Sequence, residues 1–406
     1  MYQWSDEELA IRDAVRAFVD KEIRPLQDEL EHEGLPPYDI ARKYYAAFGL
    51  DEAGGELFDW QIRRDEAAEA GQPFDEPQPD GVGIGGGPVA NVELVKAGMG
   101  IPTAIGVSIG MAAGTINGLG SIEQRKRWAR PLMTMEKIGS WAITEPDAGS
   151  DAFGGMRTTA KPDGNGGWVL NGQKTFITNG PYADTIVVYA KLDDGSEPDR
   201  RKQPVLIFVL DSGMEGLTQS KPFKKMGMAS SPTGQLFFDH VAVGPERLLA
   251  GKPGTDGRES ARKNFIGERV GIATFALGMI EECQRIAIDY AKTRELWGQP
   301  ISEFQLIQLK LAEMEIARVN VQNMVFKGLH AQRTGTMDIA EASAIKLYSS
   351  RAATEVAMEA VQLLGGNGYM AEYRVEQLAR DAKSLMIHAG SNEVQVTHVA
   401  KGLLRR

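Results

Sequence analysis

Cysteine is almost missing from this 406-residue chain. Its one thiol, Cys283, excludes a disulfide within the chain and fits a reducing cytosol. In a helix-like context, Cys283 reads as a small buried hydrophobe rather than a nucleophile. Histidine is also scarce: His32, His240, His330, His388 and His398 show no metal-ligand spacing, and no metal is expected. The first residues, Tyr2 to Glu8, carry neither a basic stretch nor an apolar core, so no secretory signal is expected and the location reads as cytoplasmic. Positive charge is in deficit, with a net charge of −10, which argues against nucleic acid or an anionic membrane as the main partner. No solenoid repeat is present.

What remains is an ordinary globular composition on a chain long for one core, so two or three domains are expected. Ser5 followed by Glu8 is a capping box, and Leu9, Ile11, Val15, Phe18 and Ile23 follow at helical spacing until Pro25. Residues 51–88, rich in Gly, Pro and acid, read as a long surface excursion. The uncharged run Ala97–Ile122 is interrupted by Pro102 and rich in small residues, so it reads as a buried helix pair and not a membrane span. Short apolar or alternating runs from Trp141 to about Gly251 predict an antiparallel β domain, with Asn171-Gly172 as a hairpin turn. Helical patterns return from Asn264. Leu306, Leu309, Ala312, Ile316 and Val319 recur at three- and four-residue intervals, and further helices are expected over 339–364 and 371–385. The domains expected are 1–138 (helical), 139–255 (β) and 256–406 (helix bundle).

Two motifs fit their patterns literally and their contexts badly. Gly81-Val82-Gly83-Ile84-Gly85-Gly86 matches GxGxxG, but Pro77, Pro79 and Asp80 stand where a strand should be. Gly106-Val107-Ser108-Ile109-Gly110 matches GxSxG inside a helical run, away from any strand-turn-helix elbow.

The most informative segment is Trp141-Ala142-Ile143-Thr144-Glu145-Pro146-Asp147-Ala148-Gly149-Ser150-Asp151, a strand-like run entering a turn rich in backbone donors. It resembles the first signature of the acyl-CoA dehydrogenase family. Three further segments resemble the same family in order: Asn171–Gly180; Arg294-Glu295-Leu296-Trp297-Gly298 with Phe304-Gln305; and Gln362–Tyr369. The resemblance implies a mainly α fold with a central antiparallel β domain, arranged as helical bundle, β-barrel and four-helix bundle. It implies FAD held by Trp141, Ile143, Thr144, Gly149, Ser150, Phe176, Thr178, Arg294, Trp297, Gln305, Gln362, Gly365, Gly366, Ser391 and Glu393, with Arg294 and Gln305 approaching the FAD of a neighbouring subunit. It further implies an acyl-CoA substrate contacted by Ser150, Arg269, Ala389 and Gly390, a homotetramer built as a dimer of dimers, and an electron-transfer flavoprotein as electron acceptor.

The implied reaction is α,β-dehydrogenation to the trans-2-enoyl-CoA: a carboxylate removes the α-proton while hydride leaves the β-carbon for flavin N5. Ala389 stands at the position where many members of the family carry the base, in Ile387-His388-Ala389-Gly390-Ser391-Asn392-Glu393. Its backbone N–H remains for polarising the thioester carbonyl. A minority, resembling isovaleryl-CoA and long-chain acyl-CoA dehydrogenases, carries the base in a Glu-Arg pair, which here is Glu268-Arg269. An apolar setting would raise that carboxyl. Ile266 replaces the family's Asp three residues before Arg269, and His388 replaces a site-lining Tyr. Two other readings stay open: a same-fold flavoprotein with nitroalkane-oxidase-like or oxygenase chemistry, and a non-catalytic subunit of a hetero-oligomer.

Overall fold

The computed structural model describes residues 3–79, 87–249 and 257–405. The first helix, α1 (Asp6–Phe18), begins where the capping box predicts: the Glu8 N–H donates to Ser5 Oγ at 3.2 Å and the Ser5 N–H to Glu8 Oε2 at 2.8 Å. A π turn over Val19–Ile23 and a 3-10 turn over Arg24–Leu26 carry it past Pro25. After α2 (Tyr38–Ala47) comes α3 (Leu50–Glu69), where the sequence suggested a surface excursion. Gly54 and Gly55 lie inside α3 and are buried, and a Cβ on Gly54 would come within 3.3 Å of the Met133 carbonyl. The glycines that look like loop residues are helix-packing residues. The GxGxxG stretch lies outside the described residues.

The uncharged run forms α4 (Pro88–Val95), α5 (Gly100–Ile105), a π segment over Gly106–Ala113 and α6 (Gly114–Leu119). Among the described residues no helix is long and apolar enough to cross a membrane. Ser108, the GxSxG serine, is buried and accepts the N–H of Gly139 at 2.8 Å, which fixes the start of the first strand. Short helices α7 (Ile122–Gln124) and α8 (Arg130–Met133) lead to the sheet.

Among the described residues the sheet has seven strands: β1 (Gly139–Ala142), β2 (Thr159–Pro162), β3 (Trp168–Thr178), β4 (Thr185–Leu192), β5 (Val205–Asp211), β6 (Leu217–Gln219) and β7 (Thr233–Val243). Most ladders are antiparallel, while β1 and β2 both run parallel to β4, which carries β5 on its other edge. The predicted Asn171-Gly172 hairpin is a β-bulge within one continuous strand. The β3–β7 register shifts between Leu170 and Gly172, Gly172 takes φ +142°, and a Cβ there would meet Thr158 at 2.7 Å. A bulge and a tight hairpin both favour a residue that tolerates positive φ, so the dipeptide alone does not separate them.

The last region is a helix bundle of α9 (Gly257–Thr293), α10 (Gln305–Arg333), α11 (Ile339–Leu364), α12 (Val375–Leu385) and α13 (Asn392–Leu404). The domain limit expected at 255/256 falls outside the described residues. Cys283 is buried in the core of this bundle, which pushes its thiol pKa up. In α10 the buried residues are Met314, Val321, Val325, Gly328 and Ala331. The stripe Leu306, Leu309, Ala312, Ile316 and Val319 is exposed in the single chain, with Leu306 at 76% and Ile316 at 60%. That spacing therefore marks an uncovered face rather than the bundle core.

Candidate active site

The motif that follows β1 is held from within by a buried ion pair. Lys174 Nζ donates to Glu145 Oε1 at 2.8 Å and to the Ile143 carbonyl at 3.2 Å. The Glu145 carboxylate also accepts the N–H groups of Arg157 and Thr158, at 2.5 and 3.0 Å. Burial opposes both charges: it drives Lys174 down to about 8, while the attraction and hydrogen bonds of Lys174 outweigh burial at Glu145 and keep its carboxyl low. Geometry of this completeness is what makes a buried pair tolerable.

The turn is keyed to β3 by the Thr175 N–H, which donates to the Thr144 carbonyl at 2.9 Å. Beyond Thr175 the β3–β7 ladder breaks again, between Lys174 and Ile177, and Phe176 takes φ +58° with 67% of its surface exposed. A left-handed aromatic costs on the order of 1–3 kcal/mol, and bulges re-aim side chains. Thr144 and Thr178 are half-buried, and Gly149 and Ser150 are exposed. Trp141 and Ile143 are buried in the core, and the Ile143 carbonyl already accepts Lys174 Nζ, so their side chains present no surface to a ligand.

The start of α9 packs against that core. Asn264 Nδ2 donates to Thr115 Oγ1 at 2.9 Å, and Phe265 meets the Trp141 indole. Glu268 follows almost one turn later. The residue keeps some solvent contact, yet its carboxyl sits in dense protein, and desolvation raises it to about 7 against the pull of Arg269 and Lys346. Arg269 is buried, donates to Ser343 Oγ at 3.2 Å and leaves its Nε–H unpaired. Ile266, in place of the family's Asp, is half-buried.

Ala389 and Gly390 approach from the turn between α12 and α13, with φ +58° and +81° in succession. A Cβ on Gly390 would lie 3.6 Å from the Arg269 guanidinium, which places this turn beside the Glu268-Arg269 pair. Among the described residues no acceptor takes the N–H of Ala389 or Gly390. Gln395 Nε2 donates to both their carbonyls, at 3.1 and 2.7 Å, and Lys346 Nζ to that of Gly390 at 2.9 Å. Ser391 caps α13, and Glu393 is exposed in its first turn. His388 Nε2 is buried without a partner, and burial lowers the imidazole to about 4, so the ring is neutral.

Arg294, Trp297, Gln305, Gln362, Gly365 and Gly366 are not part of this assembly. They form a separate exposed patch, joined by the Asn367–Tyr290 hydrogen bond (3.0 Å) and by the Ile301 N–H to the Arg294 carbonyl (2.8 Å). Trp297 is 84% exposed. Glu268 lies in the N-terminal third of α9 and Arg294 just beyond its C-terminal end, about 39 Å away along the axis at the α-helical rise.

Sequence profiles of the acyl-CoA dehydrogenase middle domain and C-terminal domain match residues 140–241 and 255–404. An acyl-CoA dehydrogenase of Bacillus subtilis is 33% identical, with 98% of both chains covered. The chain belongs to the acyl-CoA dehydrogenase family. The structure of butyryl-CoA dehydrogenase from Megasphaera elsdenii superposes with a TM-score of 0.84 at 31% identity, covering 99% of each chain. A glutaryl-CoA dehydrogenase of Mycobacterium smegmatis, solved in complex with FADH2, superposes with a TM-score of 0.82 at 26% identity, covering 99% of this chain and 96% of that one.

For an acyl-CoA dehydrogenase, two groups in this site escape sequence reasoning. One is the Lys174–Glu145 pair, whose members are separated by 29 residues and joined only by the sheet. The other is Lys346. Its signal is a lysine on the buried stripe of α11, among Ala342, Ser343, Ser349, Ser350 and Ala353.

Proposed function

We propose that this chain catalyses the FAD-dependent α,β-dehydrogenation of an acyl-CoA thioester to the trans-2-enoyl-CoA, with Glu268 as the base. The observation that carries this reading is the convergence of a desolvated carboxyl, Glu268, on a turn with two free backbone N–H groups, Ala389 and Gly390.

The residues present suit the flavin. Phe176 offers a flat apolar surface held outward at a backbone cost, and the exposed Gly149–Ser150 turn offers donors. Thr144 and Thr178 flank that surface as hydroxyl donors. Bound FAD supplies the acceptor for the electron pair that leaves the β-carbon. A carboxylate oxygen of Glu268 takes the α-proton. The Ala389 N–H faces the thioester carbonyl and stabilises the charge that develops there, an oxyanion-hole role that needs no side chain. A carboxyl raised to about 7 is better matched to a weakly acidic C–H than one at its ordinary value.

The distal patch supports an assembly of identical subunits. One chain is poorly placed to bring Arg294, and with it the distal patch that includes Gln305, to a ligand lying beside its own Glu268 when α9 holds Arg294 about 39 Å from that residue. They serve the site of a neighbour, and the uncovered stripe Leu306–Val319 gives the neighbour an apolar face to cover. The homotetramer, the cytoplasmic location and the electron-transfer flavoprotein as acceptor complete the reading.

The test is anaerobic bleaching of the flavin by a panel of acyl-CoA thioesters. Glu268→Gln is expected to keep its yellow flavin and to lose bleaching by a factor on the order of 10³. Full activity in that variant overturns the assignment.

A further inference from the structure

Lys346 is a buried ammonium in the middle of α11 for which the reaction above has no use. Both of its hydrogen bonds end on the turn that carries Ala389. Nζ donates to the Gly390 carbonyl at 2.9 Å and to Asn392 Oδ1 at 3.0 Å. Asn392 is held in turn by Ser350 Oγ, 3.0 Å from the same Oδ1, and by its own N–H to the Met386 carbonyl at 3.0 Å. Gln395 secures the Ala389 carbonyl. The two peptide planes that flank Gly390 are thereby fixed, and with them the left-handed pair at 389–390. Without that tether Ala389 has reason to relax, because its φ of +58° is a left-handed conformation strained for a residue with a Cβ.

The same ammonium also acts electrostatically on Glu268. The charged groups around it are Glu268 and Arg269 from α9 and Glu393 from α13, and the neutral imidazole of His388 lies in the turn. Arg269 is the other cation that acts on Glu268.

We propose that Lys346 is a positioning residue of this dehydrogenation: one buried ammonium, bonded to the Gly390 carbonyl and to Asn392, holds the Ala389–Gly390 turn in its carbonyl-polarising geometry beside the Glu268-Arg269 pair. The inference rests on the reading in which Glu268 is the base. It separates two effects that a merely structural lysine would not separate. Lys346→Met removes tether and charge together. Asn392→Ala loosens the tether and leaves the charge.

The experiment measures kcat and the pH profile of kcat/KM for flavin-loaded wild type, Lys346→Met, Lys346→Arg, Asn392→Ala and Glu268→Gln. Lys346→Met is expected to lower kcat at least tenfold and to move the acid limb upward by about one pH unit, because the base loses a cation. Asn392→Ala is expected to lower kcat with the acid limb in place, and Lys346→Arg to keep the limb in place. An unmoved acid limb in Lys346→Met, or wild-type kcat in Asn392→Ala, overturns the proposal. Flavin content and melting temperature show whether Lys346→Met folds. If it does not, a wild-type kcat in Asn392→Ala, or a displaced acid limb in Lys346→Arg, overturns the proposal. Glu268→Gln decides the underlying reading separately: an active Glu268→Gln refutes the base, whereas an inactive one beside an unaltered Lys346→Met refutes only the role of Lys346.

Discussion

The indole of Trp141 meets the ring of Phe265 edge-on, with centroids 5.8 Å apart and planes at 82°. This contact sets the distance between the two halves of the site. Trp141 belongs to the strand that opens the proposed flavin-cradle motif, and Phe265 lies three residues before Glu268 on α9. The proposed base is thus registered against the proposed flavin cradle by core packing, supported by the Asn264–Thr115 hydrogen bond. Edge-to-face aromatic pairs add about 0.5–1.5 kcal/mol beyond area burial and have a preferred geometry, which suits that task.

Activity and stability should respond to pH in opposite senses at Glu268. Desolvation raises the folded carboxyl to about 7, and only its carboxylate is a base, so kcat/KM is expected to fall about tenfold per unit as pH drops below 7. The folded chain binds that proton more tightly than the unfolded chain, so this residue's contribution to stability is lost as pH rises from the ordinary carboxyl range through 7. Glu268→Gln should therefore be more stable than wild type above pH 7, by about 1–3 kcal/mol in denaturant titrations, while being inactive. Equal stability of the two proteins at pH 8 contradicts the buried carboxylate.

Lys174→Met should be among the most damaging single changes in the β domain. It leaves Glu145 charged, buried and short of a partner, a loss of about 3–5 kcal/mol. Glu145 also organises the turn before Gly149, so flavin retention through gel filtration should fall with stability. Adding Glu145→Gln to Lys174→Met removes the orphaned charge and should recover part of the stability. Urea titration of wild type, the single variant and the double variant measures how much.

Phe176 gives a sign that packing arguments alone would miss. Its side chain buries little and its backbone is left-handed, so Phe176→Gly should stabilise the flavin-free chain by about 1 kcal/mol. The same change should weaken flavin binding at least tenfold. Thermal melts of the apo-protein and fluorescence titration with FAD report the two effects, and a destabilised apo-variant contradicts the strain assigned here.

Charge on the uncovered face of α10 should dissociate the assembly. Leu309→Lys with Ile316→Lys places two ammonium groups where 54% and 60% exposed apolar residues now stand. Sedimentation velocity is expected to show a smaller species with unchanged helical circular dichroism. An unchanged sedimentation coefficient removes α10 from the interface.

Much of the chain is legible in the sequence because local chemistry and tertiary structure agree. The Ser5–Glu8 box and the helix over 339–364, which ends at Gly365-Gly366, lie where the residues demand. Misreadings arise where one local signal serves two structures. Asn171-Gly172 supplies the backbone freedom that a hairpin and a bulge both need, and only Thr158, pressed against Gly172, decides between them. Gly54-Gly55 resembles a loop until the Met133 carbonyl is known to lie beside it. The three- and four-residue spacing in α10 shows that an apolar stripe exists but not what covers it. Lys346 is invisible for a related reason: a buried cation declares its purpose only through the carbonyl it finds.

The length of α9 has a genetic consequence. A helix that keeps Glu268 and Arg294 about 39 Å apart assigns them to different reaction centres of the proposed assembly. Loss of the base and loss of the distal patch are then separate defects, and two inactive chains, one bearing each, can share a functional centre when they assemble together. Two lesions placed on the same chain have no such remedy.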